Sequence, residues 1–86
     1  MQVQFITGSQ IRAARGALGW SVQELAESTG VGTATIVRYE TAEAVPPSRK
    51  GNLQKIIREL ESAGIEFIGS PDNGPGIRIR TSPPKP

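Results

Sequence analysis

The stretch from Ser21 to Glu40 constrains this chain most, because glycines cut it into helical pieces too short to stand alone. Ser21 is a good N-cap, and Glu24 follows at the spacing of a reciprocal capping box, so a helix starts there and Gly30 ends it. After Val31 and Gly32, the segment from Thr33 to about Thr41 reads as a further helix, with Ile36 and Tyr39 on its inward side. Isolated helices of this length are marginal in water. Each must therefore bury a face against the other, and a tight turn at Gly30 lets the two cross. Small Ala26 suits the point of close approach, Val31 plugs the corner and Ile36 anchors the later helix. Val22 serves two readings, on the inward stripe with Leu25 and Ala26 or as part of an outward patch.

The flanking segments supply the rest of a core. After Thr7-Gly8-Ser9, residues Ile11, Ala14, Arg15 and Leu18 recur at helical spacing until Gly19 stops the run. Trp20, just ahead of the Ser21 cap, is expected to pack on the core as a staple. Pro46-Pro47 imposes extended backbone. A fourth helix is then expected from about Ser48 to Ser62, with Leu53, Ile56, Ile57 and Leu60 as its apolar stripe and Gly64 at its C-terminal cap.

The period next shifts from 3.6 to 2. Residues 65–68 and 77–80 read as short strands, separated by the turn formers of 69–76, which predicts a β-hairpin. The expected organisation is an extended segment over 1–7, a helical domain over 8–63, a hairpin over 64–80 and a disordered tail over 81–86. Ile65, Phe67, Ile77 and Ile79 form the apolar face of the hairpin. A lone hairpin is marginal, so that face packs on the helices or on a second chain, and these four residues are expected to take part in a dimer contact.

Composition removes several classes. The 86 residues include no Cys and no His, which excludes disulfide frameworks and zinc knuckles. No apolar run approaches the ~18 residues of a membrane span. Residues 1–6 lack the basic and apolar regions of a signal peptide, so a soluble cytoplasmic protein is expected. Carboxylates are scattered with no apolar pocket to raise a pKa, there is no His or Cys, and no Gly-rich phosphate loop follows a strand, so no enzyme, no cofactor and no metal is expected. Only 36% of residues are hydrophobic, and a chain this short and lean often completes its core in a homodimer.

The combination of Gln10-Ile11-Arg12-Ala13-Ala14-Arg15, Leu18-Gly19-Trp20-Ser21, Glu24-Leu25-Ala26, Gly30-Val31 and Ile36-Val37-Arg38-Tyr39-Glu40 resembles the phage-repressor-like (Cro/CI, or Xre-type) helix-turn-helix family. The resemblance spans roughly two-thirds of the chain. It implies a mainly α, lambda-repressor-like four-helix helix-turn-helix domain, here with a C-terminal β-hairpin. It implies an ion pair between Arg15 and Glu40 that locks the first helix to the third. It also implies that the third helix reads a double-stranded DNA operator in the major groove, through Thr33, Ala34, Val37, Arg38 and Thr41. Arg38 has the reach for guanine, and Thr33 and Ala34 are small enough to meet a thymine methyl. Phosphate contacts are expected from Arg49 and Lys50 and from the helix starts at Ser21 and Ser48.

The chain departs from that family at Val22, where a phosphate-gripping glutamine is usual, at Gly32, where Ser or Thr caps the helix, and at Thr41-Ala42, where a glycine ends it. Between Ser21 and Val45 four glutamates face a single arginine, a net −3, although the whole chain carries +2. The other basic residues include Arg12, Arg49, Lys50, Lys55, Arg58, Arg78 and Arg80. Two functions therefore stand. One is a sequence-specific DNA-binding transcriptional regulator, a repressor acting as a dimer. The other is a helix-turn-helix scaffold used as a protein-binding antiactivator that sequesters another transcriptional regulator, with Val22, Ala34 and Val37 outward. An antitoxin, which combines both kinds of binding, is a third option.

Overall fold

The first two helices each begin on a reciprocal cap. The Thr7 hydroxyl accepts from the Gln10 amide at 3.2 Å while the Thr7 amide donates to Gln10 Oε1 at 2.8 Å. Ser21 and Glu24 repeat the arrangement at 3.0 and 2.7 Å. Two of the four orphan amides at each start are thereby satisfied. The computed structural model describes residues 5–42, 44–47 and 51–80. Helices α1 (Gly8–Leu18), α2 (Val22–Thr29), α3 (Thr33–Glu40) and α4 (Asn52–Ser62) precede an antiparallel pair, β1 (Ile65–Ser70) and β2 (Asn73–Ile79). The chain is mainly helical, with a helix-turn-helix and a two-stranded hairpin.

One core joins every element. Ile6 and Ile11 meet Leu25 of α2, Ile36 and Tyr39 of α3, the α4 stripe of Leu53, Ile56, Ile57 and Leu60, and Ile65 and Phe67 of β1. Full burial of each such side chain contributes about 1.5–3 kcal/mol before entropy is counted. Trp20 packs against this core at its edge, as expected of a staple. So does Val22, which corrects its placement on an outward patch: its first-turn position sets it beside the core rather than on the free side of α2.

Three expectations change. Helix α4 starts at Asn52, and its N-cap is Gly51 in the left-handed region, φ 71°, where Ser48 was expected. A helix cannot run through such a residue, so the Pro-Pro signal is followed by a later start. Ser48, Arg49 and Lys50 lie outside the described residues, as do 1–4 and the tail over 81–86.

The hairpin is also longer and tighter than its composition suggested. Ser70 pairs with Asn73, leaving Pro71-Asp72 as the turn, and Ile68 pairs with Gly76 across a register irregularity. Six of the eight residues over 69–76 thus fall within the strands, although among them only Ser70, Asn73 and Gly76 have register partners. Arg80 falls outside β2, although its amide donates to the Gly64 carbonyl.

Finally, the apolar hairpin face is used internally. Ile65 and Phe67 are buried in the chain's own core and Ile77 packs at its edge, whereas Ile79 is 54% exposed. Of the four residues expected in a dimer interface, only Ile79 is largely free, because β1 lies against α4 while β2, set against α1, turns only Gly76 and Ile77 partly inward.

Candidate nucleic-acid interface

Helix α3 separates its residues by face. Ile36, Tyr39 and Glu40 are buried, while Thr33, Ala34, Val37, Arg38 and Thr41 at its end are all exposed. The structure therefore brings the five expected contact residues onto one surface. Val37 is 49% exposed, a large apolar side chain with no core to fill. The Arg38 guanidinium makes no hydrogen bond or ion pair among the described residues. The Thr41 hydroxyl donates to the Arg38 carbonyl at 3.0 Å, ending the helix where no glycine is present.

The angle of α3 is set by its joint with α1. Arg15 Nε donates to Glu40 Oε2 at 2.7 Å and Nη2 to Oε1 at 2.9 Å, a two-pronged pair, and Nη1 donates to the Trp20 carbonyl at 2.9 Å. The side chains are 20% and 7% exposed. The hydrogen bond to Glu40 raises the Arg15 pKa above its ordinary value, burial opposes it, and the charge of Glu40 adds to the rise. Arg12 Nη1 donates to the Glu40 carbonyl at 3.0 Å, which places a cation at the negative end of the α3 dipole. Gly8 lets the start of α1 come against that same end. A Cβ there would lie 2.3 Å from the Tyr39 carbonyl oxygen and 2.5 Å from that of Ala42.

Charge around the exposed face is sparse. The amide and hydroxyl of Ser21, expected to meet phosphate, are engaged by Glu24. An open groove of about 590 Å³ runs between α2 and the start of α3, lined by Gln23, Ala26, Glu27, Val31 and Thr33. On the other flank of α2, Lys55 and Arg58 border a depression of about 220 Å³ with Ser28, Thr29 and Glu59. Arg78 is turned toward Glu66 at 3.2 Å. No group of His, Cys, Asp or Glu among the described residues could hold a metal ion, and no helix there is long and apolar enough to cross a membrane.

Sequence reasoning missed Gln10. Its Nε2 donates to the carbonyls of Ile68 at 3.3 Å and Gly76 at 2.9 Å, so the residue that closes the α1 cap also ties α1 to the hairpin. The Thr7-x-x-Gln10 spacing carried the capping half of this role. Nothing local carried the other half, since the acceptors lie 58 and 66 residues away.

Residues 7–53 match a family model described as a helix-turn-helix domain. The match takes in α1 to α3 and stops at the second residue of α4, so the hairpin lies beyond it. No curated protein is significantly similar to the chain.

Proposed function

The chain belongs to the helix-turn-helix domain family, and on that premise we propose that it is a sequence-specific DNA-binding transcriptional repressor, acting as a homodimer on a two-fold operator. The observation that carries this reading is the free outer face of α3, whose one long cation, Arg38, has no partner among the described residues. Laid in a major groove, α3 presents Arg38 to guanine O6 and N7, and Thr33, Ala34 and Val37 to apolar base edges. The four-helix order fits a lambda-repressor-like domain of the Cro/CI, or Xre-type, family. Arg49 and Lys50 are the phosphate contacts in this scheme, with Ser48 beside them. Ser21 contributes only if Glu24 yields its amide. The homodimer draws on Ile79, which remains exposed when the rest of the hairpin face is packed. Ile79→Glu is expected to shift sedimentation toward monomer with little change in melting.

The protein-binding alternative has one observation in its favour, the exposed Val37 beside the acidic α2. It loses Val22, which packs on the core. The reading is tested by fluorescence anisotropy against the upstream region of the protein's own gene and an unrelated duplex, over a range of salt. The upstream duplex is expected to bind well above the unrelated one, with affinity falling as salt rises. Equal binding to both, or none at low salt, defeats the DNA reading.

A further inference from the structure

The Asn73-Gly74 pair opens β2 beside the Pro71-Asp72 turn, and its surroundings favour a specific covalent change. Both residues are exposed. The Asn73 carboxamide makes no hydrogen bond among the described residues. Gly74 is exposed with φ 66°, and nothing lies within 4 Å of where its Cβ would be, so no side chain crowds the residue that supplies the attacking nitrogen. Pro75 has no amide to give the ladder, and the register is irregular between Ile68 and Ser70 opposite. Gly74 and Pro75 therefore have no Cα partner in the register, unlike Gly76 to Ile79 further along the strand. Asn52, the other asparagine, is followed by bulky Leu53 and sits half-buried in the first turn of α4.

We propose that Asn73 is a site of intrinsic, time-dependent deamidation, converting the hairpin tip to a mixture of isoaspartate and aspartate. Base removes the Gly74 amide proton, the nitrogen attacks Asn73 Cγ, and the carboxamide C–N bond breaks to release ammonia. The five-membered succinimide is then opened by water. Cleavage of the new bond to Cγ gives aspartate in the ordinary chain. Cleavage of the original bond between the Asn73 carbonyl carbon and Gly74 nitrogen gives isoaspartate, with the main chain rerouted through the side chain. One water enters, one ammonia leaves, and no oxidant is needed.

Both products add a negative charge beside Asp72, whose carboxylate already accepts from the Ser70 hydroxyl at 3.0 Å. Isoaspartate does more, because it lengthens the backbone where Gly74 lies against Gly69 of the facing strand. A Cβ on Gly69 would lie 2.0 Å from the Gly74 carbonyl oxygen, so the strands touch at this level. The next pair, Ile68 with Gly76, is the one held by Gln10. The added methylene is expected to pull on that tie and loosen the outer half of the hairpin, leaving Ile65 and Phe67 in place.

The test incubates the folded full-length chain at mildly acid and mildly alkaline pH, with peptide mass mapping and an isoaspartate-specific methyltransferase as probe. A parallel sample is held unfolded in urea. The folded chain is expected to gain the mass of an NH-to-O exchange at Asn73 and not at Asn52, several-fold faster in alkali, with isoaspartate the larger product. Hydrogen exchange in converted protein is expected to quicken at the hairpin tip and not in α1–α3, whereas Asn73→Asp reproduces the charge without the loosening. Conversion of the unfolded sample with none in the folded one overturns the proposal, as does conversion at Asn52 equal to that at Asn73.

Discussion

Helix α1 makes two joints, and they are built differently. Toward α3 it uses a two-pronged ion pair, a second arginine on the helix-end carbonyl, and a glycine that brings backbone against backbone. Toward the hairpin it uses one buried amide side chain, Gln10, while Ile65 and Phe67 seat the inner strand. The first joint fixes α3 through many short, mutually dependent contacts, and these hold its outer face at one angle. The second leaves β2 largely exposed, and a local change there need not reach α3. Rigidity is concentrated behind the surface proposed to read DNA.

Breaking the first joint is expected to cost most. Gly8→Val places carbon where two carbonyl oxygens already stand, so α1 must back away from α3. A loss of about 4 kcal/mol or more is expected, a fall in Tm of at least about 15 °C for a domain of this size. Arg15→Ala comes next, at about 3 kcal/mol, because it strands the more deeply buried Glu40. Glu40→Ala is expected to cost less, since Arg15 is partly exposed and keeps the Trp20 carbonyl. Equal, negligible losses for both would mean the pair is solvated. At the second joint, Gln10→Ala removes the bonds to Ile68 and Gly76 and half of the α1 cap, about 1–3 kcal/mol. Its signature is faster hydrogen exchange in β1 and β2 than in α2 and α3. Uniform acceleration would show that the two joints are not separable. Val37→Glu is expected to change stability by no more than about 0.5 kcal/mol, as for other surface positions.

Much of this architecture was legible because it is local. The Ser21 cap with Glu24, the stops at Gly19 and Gly30 and the α4 stripe each depend on residues a few positions apart. The departures arise where one backbone conformation or a distant partner decides. The Gly51 conformation moves the start of α4 beyond the point that Pro46-Pro47 indicated. Pairing across the hairpin draws glycines into strands that composition alone assigns to a turn. At the candidate interface, the exposed side of α3 followed from the inward positions of Ile36 and Tyr39. The second duty of Gln10 did not, because it depends on a strand that folds back from the far end of the chain.

If the Arg38 side chain reads DNA from the outer face of α3 and has no part in the fold, Arg38→Ala separates binding from stability. The measurement pairs anisotropy on the upstream duplex and an unrelated duplex with thermal melting of the same samples. Specific affinity is expected to fall by about 1–3 kcal/mol, between about fivefold and 150-fold, with little change on the unrelated duplex and Tm nearly that of wild type. Undiminished specific affinity, or a loss of binding matched by a loss of stability, would show that Arg38 is not a base contact set apart from the fold.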